Sequence, residues 1–446
     1  MSLCIIELND IAVAASLVQL EPVVSPGYAL VQGSKLVVGV DAKKQARLHP
    51  QQLNNRFWQR LSMDPISHSG DTVRHHADLA YAHLLQLHEL AGRPDEVIFA
   101  VPGNFSPEQL SVLLGIAGHC PFKAVGLVDS AVAAAAGVEL EGETVYLDLQ
   151  LHQAVLTRLA VTTDISRVEV QTVAGVGLLS LYDQWAHIIA GAFIEQCRFD
   201  PLHSAPTEQY IYDHIPQYLA ASDLLIDLEV PQGQSIHRAR LERELLLQAG
   251  AGTWQQVFGR AEAMSAESKY FLLGHQWAAV PGIESYSPHS LLLPTNATAS
   301  ACFEHADLIR SKDDAVSFVT RLPKLKNVLP ADTPVKVVAL AAPDPTPPTH
   351  VMLDSTAYAL TTPCFLQGNA REVSYHLQPQ SESGCTLGMQ GGKPHLQILG
   401  DASIWLNDQV LSAGDPVPAL AVGDALRMAE GGEPVQLIRV NPDVQA

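Results

Sequence analysis

The sequence predicts an α/β protein that carries a smaller all-β segment after it. Short apolar runs alternate with segments of helical spacing from about residue 3 to residue 340, a pattern typical of α/β domains. A Pro-rich stretch at 342–348 ends this pattern, because proline fixes φ and removes a backbone donor. Beyond it, residues 350–440 show short β-like runs separated by glycine-containing turns. We therefore predict two domains, 1–342 and 349–446, joined by the Pro-rich stretch.

The individual elements follow from local pattern. Continuous apolar runs at 4–8, 96–101, 123–128 and 144–149 predict buried strands, each followed by a turn or a helix. Between them, leucines at 79, 84, 87 and 90 have helical spacing, which predicts a helix over 73–91.

Composition narrows the classes of function. The chain has 47 acidic and 27 basic residues and a net charge of −20, so nucleic acid would be repelled and is not an expected partner. No window contains the roughly 18 apolar residues that a membrane span requires, so we expect no membrane association. The six cysteines form no C-x-x-C pair, which favours reduced thiols in a cytoplasmic protein.

One short internal repeat connects distant parts of the chain. Residues 6–10, followed by an apolar run at 11–17, are similar to residues 147–151, followed by a run at 153–161. Each copy reads as a strand, an acidic residue, a tight turn and a second strand. We expect the two copies to open two related lobes, with their turns facing each other.

Several motifs resemble the seventy-kilodalton heat-shock chaperones. Residues 38–46 with Pro50 and residues 56–61 are similar to the family pattern V-G-x-x-A-K-x-Q-A…P…F-x-x-K-R-L. Residues 97–106, 126–136, 175–183 and 273–282 resemble four further family segments in the same order. The resemblance covers about residues 1–310 and implies a two-lobed, actin-like nucleotide-binding fold. It also implies ATP or ADP with magnesium as cofactor, and chaperone activity.

The sequence departs from the family where the resemblance places the phosphates. Family members use two glycine-rich turns, because glycine lets backbone N–H groups approach phosphate closely. At the first turn, Glu7, Asn9 and Asp10 stand for the family's acid, glycine and threonine. At the second turn Asp148 is kept, but Gln150 and the two residues after it replace the glycines. We therefore expect weak nucleotide binding at most.

The remaining candidate residues have structural as well as functional interpretations. The family's lysine falls on Gln59 or Arg60, and its glutamate on Asp129, which either orients water or, as we favour, caps the following helix. Glu7 and Asp148 are either remnants of a metal–water site or hydrogen-bonding acids at strand ends, and we favour the latter.

Four positions stand where the resemblance implies nucleotide contacts, and three histidines form a candidate metal cluster. Gly175 and Gly177 either contact phosphate or permit a tight turn, and Gly274 with His275 matches the adenosine-side motif. His75, His76 and His83 lack any H-E-x-x-H pattern, so we expect no metal site there.

Three functions are compatible with these sequence features. The altered turns favour a pseudo-ATPase or weak ATP binder that serves as a protein-interaction scaffold or regulator, with an unidentified protein partner. An active member would be an ATP-dependent chaperone that hydrolyses ATP. A small-molecule kinase of the same fold superfamily is the other alternative, for which Glu7, Asp129 and Asp148 are the available acids.

Overall fold

The structure is a computed structural model with a mixed α/β fold and several sheets. Contacts between Cα atoms divide the chain into two units, Met1–Leu340 and Ala341–Ala446. Apart from Pro348, the predicted Pro-rich linker lies outside the described residues. The described residues are 2–66, 73–265, 270–283, 290–311, 316–325, 329–330, 348–353, 356–368, 373–377, 383–390, 393–407, 409–415, 417, 420, 422, 424–429, 432 and 434–438.

The strands of the first unit are mostly short. They are β1 (Leu3–Glu7), β2 (Val13–Leu17), β3 (Val23–Ser25), β4 (Ala29–Gln32), β5 (Lys35–Val38), β6 (Leu53–Asn54), β7 (Glu96–Val101), β8 (Lys123–Asp129), β9 (Val138–Glu139), β10 (Gly142–Leu149), β11 (Gln153–Val161), β12 (Asp164–Ala174), β13 (Leu225–Gln232), β14 (Ser235–Glu242), β15 (Phe271–Leu273), β16 (Ser290–Leu292), β17 (Phe318–Val319), β18 (Arg321–Pro323) and β19 (Leu329–Pro330).

Helices follow or connect these strands. They are α1 (Val40–Lys43), α2 (His76–Leu90), α3 (Pro107–Ala117), α4 (Ser130–Ala135), α5 (Leu178–Cys197), α6 (Ala205–Ala220), α7 (Arg243–Ala249), α8 (Ala251–Met264), a 3₁₀ helix (His275–Ala279), α9 (Ala297–Glu304) and α10 (Ala306–Ile309). Within the described ranges, none of the helices has the length and apolar composition needed to cross a bilayer.

Two sheets of the first unit share the order of five of their six strands, and the last strand lies at opposite edges of the two sheets. The first runs β17-β8-β7-β1-β2-β3 and the second β16-β15-β10-β11-β12-β18. In each, the first long strand pairs antiparallel with the strand after it and parallel with a later strand, as β1 does with β2 and β7, and β10 with β11 and β15. The predicted hairpins therefore begin two separate sheets. β1, β7, β8 and β10 also coincide with the four predicted strands to within two residues.

Burial on both faces explains why β1 and β10 read as continuous apolar runs rather than as alternating ones. Their residues from Cys4 and from Val145 onward are buried. A cluster of small side chains connects the two sheets: the alanines of α4 pack with Ile5 of the first sheet and Tyr146 of the second. Because alanine side chains are small, the two sheets pack closely at α4, and the ends of β1 and β10 come close to each other.

The unit 341–446 contributes strands. They are β20 (His350–Leu353), β21 (Thr356–Ala359), β22 (Cys364–Gly368), β23 (Val373–His376), β24 (Gly384–Gln390), β25 (Lys393–Leu399), β26 (Ser403–Leu406), β27 (Gln409–Ser412), β28 (Ala425–Arg427) and β29 (Val435–Ile438). They form one sheet in the order β21-β20-β29-β28-β26-β27 and another in the order β23-β22-β24-β25. A shared apolar cluster that includes Val351, Leu366 and Leu426 forms the core of this unit.

Candidate functional site

The turns that follow β1 and β10 are hydrogen-bonded to each other. We name them turn 1 (residues 8–12) and turn 2 (residues 150–152). The Asp10 carboxylate in turn 1 accepts a hydrogen bond of 2.7 Å from the backbone N–H of Leu151 in turn 2. The Asn9 side-chain amide donates at 2.8 Å to the backbone carbonyl of Leu149, just before turn 2. Asp10 and Asn9 thus satisfy backbone groups of the second hairpin that face the first.

Asn9 also holds Asp148 in place. Its Oδ1 accepts from the Ile11 N–H at 2.9 Å, and its Nδ2 donates to Asp148 Oδ1 at 2.8 Å. Backbone partners at both ends determine which way the amide points, because a reversed amide would place donor against donor at Ile11. Asn9 is therefore a two-sided donor–acceptor bridge between the two hairpins, in the position where the resemblance implies a glycine.

A chain of amides connects a guanidinium to the same carboxylate. Arg56 donates to Gln59 at 3.1 Å, Gln59 to Gln153 at 2.9 Å, Gln153 to Gln150 at 2.7 Å, and Gln150 to Asp148 at 3.0 Å. Every donor points toward Asp148, so the amide dipoles add up between a cationic end and a carboxylate end. We call this series of side chains the amide chain. Sequence reasoning identified Gln59 and Gln150 separately but missed Gln153 as the link between them.

A small cavity of about 80 Å³ lies beside the amide chain. Its lining includes Gln59, Gln150 and Gln153 together with Asn104 and Gln109. Gln109 donates to the backbone carbonyl of Gln59 at 3.0 Å, whereas the buried Asn104 Oδ1 has no hydrogen-bond partner within the described part of the chain. Side-chain amides therefore dominate the polar lining of this cavity.

Three buried carboxyl groups lie at the ends of the hairpin strands. Burial raises the pKa of Glu7 to about 7 and that of Asp10 to about 7, although hydrogen bonds from Thr298 and Leu151 act in the opposite direction. Burial also raises the pKa of Asp148 to about 8, and the negative charges of Glu7 and Asp10 reinforce this effect. Burial therefore raises the pKa values of all three carboxyls well above those of exposed carboxyls.

Hydrogen bonds engage several oxygens of these acids. Both oxygens of Asp148 accept hydrogen bonds from amide groups, and one oxygen each of Asp10 and Glu7 is likewise engaged. Magnesium binds oxygen ligands, including waters and one or two carboxylates, in near-octahedral geometry. Within the described residues, no group of three histidine, cysteine or acidic side chains has the arrangement of a metal site.

Asp129 caps a helix, as the favoured sequence interpretation expected. Its Oδ1 accepts from the backbone N–H groups of Ala131 and Val132 at 3.0 and 3.3 Å, at the start of α4. Its Oδ2 forms an ion pair with Arg167 at 2.9 Å. Burial raises the pKa of this fully buried carboxyl, while Arg167 lowers it. Sequence reasoning missed Arg167, which lies 38 residues away on β12.

Gly175 and Gly177 each have a structural reason to be glycine. Gly175 has φ 75°, and its N–H bonds to the His152 carbonyl at 3.1 Å. A Cβ on Gly177 would lie 2.5 Å from the backbone carbon of His152, so only glycine lets the start of α5 approach turn 2. The structure thus brings both glycines to turn 2.

Gly274 and His275 lie at the end of β15 rather than at the two turns. The Gly274 N–H bonds to the Leu147 carbonyl at 2.9 Å, and a Cβ there would lie 2.8 Å from the Tyr146 hydroxyl. His275 begins the 3₁₀ helix, and burial lowers the pKa of its imidazole to about 4.

The three N-terminal histidines have separate environments. His83 accepts from Trp58 Nε1 at 3.0 Å and donates to Ser25 Oγ at 2.7 Å, while burial lowers its pKa to about 3. His75 lies 3.3 Å from Asp78, and His76 Nδ1 is buried with no partner within the described ranges. Arg60, the other candidate for the family's lysine, is exposed.

Comparison with protein-family models finds no match. Comparison with curated proteins likewise finds no significant similarity.

Proposed function

We propose that the chain is a divergent relative of the seventy-kilodalton heat-shock chaperones that has kept an actin-like fold and lost its ATPase chemistry. The order of five strands common to the two sheets supports a two-lobed arrangement. Turn 1 and turn 2 occupy equivalent places in these sheets, each between the first two strands of its hairpin. Both turns also lie where the resemblance assigns the phosphates.

One observation supports the proposed loss of nucleotide chemistry: turn 1 and turn 2 are hydrogen-bonded to each other. The Asp10 carboxylate takes the Leu151 N–H, a backbone donor of the kind that relatives present to phosphate. A triphosphate would have to displace this carboxylate or lie beside it. Above its pKa of about 7 the Asp10 carboxyl is ionised, and two like charges about 4 Å apart then cost about 1 to 4 kcal/mol at effective dielectrics of 80 to 20. Nucleotide affinity is correspondingly low.

The amide chain supports the loss of hydrolysis. Phosphoryl transfer relies on positioned cations and acids that stabilise developing charge. Gln59 stands at one of the two positions available for the family's lysine and is engaged with Gln153 and Arg56. An uncharged amide in this position cannot neutralise a phosphoryl group.

A protein that keeps the fold without the reaction serves best as an interaction scaffold or regulator. The segment 349–446, proposed as a separate β-module, provides a second surface for a protein partner. We place this function in the cytoplasm, in keeping with the scattered, unpaired cysteines.

Calorimetric titration and single-turnover hydrolysis with excess protein test the proposal. With magnesium, we expect ATP and ADP to give little or no heat and ATP to remain uncleaved. The comparison variants are Asp148→Ala and Asp41→Ala, the second of which removes an exposed carboxyl. Hydrolysis that persists in Asp41→Ala and disappears in Asp148→Ala would refute the proposal and establish an active ATPase.

A further inference from the structure

A second cavity, of about 350 Å³, lies in the first unit apart from the hydrogen bonds between the two turns. Its walls come from α1 and the segment that follows it, from turn 2, and from the starts of α5 and α6. Leu151 and His152 of turn 2 line it, whereas Asn9, Asp10 and Asp148 do not. Its volume is within the range of about 300–1,000 Å³ that is usual for small-molecule sites.

Three basic residues line this cavity in a strongly acidic protein. They are Lys43, Arg47 and Arg56. Arg47 is already neutralised, because it pairs with Asp183 at 3.0 Å and Glu208 at 3.3 Å. Its guanidinium also stacks on a tyrosine ring at 3.6 Å. Arg47 is therefore part of the wall and is not available to a ligand.

Lys43 and Arg56 differ from Arg47 in having no acidic partner at ion-pair distance within the described residues. Arg56 donates a single hydrogen bond to the neutral amide of Gln59. Desolvation lowers the pKa of Lys43, and Asp213 acts on it only through longer-range attraction. Arg56 is exposed, and Arg60 adds positive charge near it while Asp10 attracts it from a longer range. An anion between Lys43 and Arg56 would relieve this imbalance.

The rest of the lining accommodates an apolar body. Tyr28 and Tyr182 are 5% and 7% exposed, and both line the cavity with their rings largely excluded from water. Burial raises the pKa of both hydroxyls above the usual range, so both remain uncharged at neutral pH. The walls thus combine flat aromatic surface with two cations that form no close ion pair within the described residues.

We infer that this cavity binds a small organic anion, namely a phosphate ester or carboxylate attached to a ring or short apolar body. Lys43 and Arg56 take the charged group, and Tyr28 and Tyr182 cover the apolar part. This inference differs from the proposed function, because Asn9, Asp10 and Asp148 do not line the cavity, although Gly175 and Gly177 do.

The test uses phenyl phosphate as probe in saturation-transfer NMR and calorimetry, with benzoate, inorganic phosphate and phenol as comparisons. We expect phenyl phosphate or benzoate to bind, and their ratio to distinguish a phosphate from a carboxylate ligand. Phenol should bind at least about tenfold more weakly than the better anion, because it lacks the charged hydrogen bonds.

Lys43→Met should weaken binding about tenfold or more, since it removes the ammonium but keeps the length of the chain. Lys44→Met, at the exposed neighbouring position, should bind as the unmodified chain does. Arg56→Gln provides a second test if Lys43→Met fails to fold. The site is refuted by equal affinity in the Lys43 and Lys44 variants, or by phenol binding as tightly as the anions.

Discussion

Replacement of Asp148 by asparagine should change how stability depends on pH. The folded chain raises the pKa of Asp148 from 3.8 to about 8, mainly through burial. For an acid with a raised pKa, the folded state holds a proton that the unfolded state releases. Its stabilisation is therefore complete below the unfolded pKa and is lost as the pH rises through the folded pKa.

The size of the effect follows from the shift. Each pH unit between the two pKa values removes about 1.4 kcal/mol for one such group, so the interval from pH 5 to pH 8 removes on the order of 4 kcal/mol. Glu7 and Asp10 shift in the same direction, so the unmodified chain should lose stability steadily over this interval. Asp148→Asn cannot titrate, and it should remove a large part of that slope.

Urea unfolding at pH 5, 6, 7 and 8, followed by tryptophan fluorescence, measures the slope. Most of the tryptophans lie in the first unit, so the signal reports chiefly on that unit: Trp58, Trp185, Trp254 and Trp277. Asp41→Asn is the matched control, since it makes the same chemical change at an exposed position. Equal slopes in the Asp148 and Asp41 variants would show that the buried carboxyl does not bind the proton.

Substitutions at three further positions test the site, each by urea unfolding. Gln59→Leu breaks the amide chain and should lower the free energy of unfolding by about 1–3 kcal/mol. Gln51→Leu, at an exposed position, should change it little. Equal losses in the two variants would contradict a stabilising role of the amide chain. Gly177→Ala should destabilise by about 1–3 kcal/mol because its Cβ meets turn 2, while Gly115→Ala, in open space inside α3, should stabilise by about 0.5–1 kcal/mol. Asp129→Asn removes the ion pair with Arg167 and should lower the free energy of unfolding by about 1.5–3 kcal/mol. Asp129→Ala also removes the helix cap and should lower it by about 1 kcal/mol more. Equal stability of the two variants would contradict the capping role.

The strands were predictable because their signal is local. Burial on both faces makes 4–8 and 144–149 continuous apolar runs, and the structure has strands at Leu3–Glu7 and Gly142–Leu149. The capping role of Asp129 was also predictable, since an acid directly before a helix satisfies free N–H groups wherever it occurs.

The hydrogen bonds between the turns were not predictable in the same way. Asn9 and Asp148 are 139 residues apart, and only the packing of the two sheets brings them to 2.8 Å. The sequence pattern indicated correctly that glycine was absent from both turns. What replaced it, a set of reciprocal hydrogen bonds, depends on distances that no local pattern encodes. Thr298, which donates to Glu7 from α9, was missed for the same reason.

The direction of the amide chain has a consequence for how these positions can vary among relatives. Each glutamine in it accepts from one neighbour and donates to the next. A single replacement by lysine or glutamate would place two donors or two acceptors face to face at a buried junction. Gln59, Gln150 and Gln153 should therefore be inherited as a block, present together in some lineages and exchanged together in others.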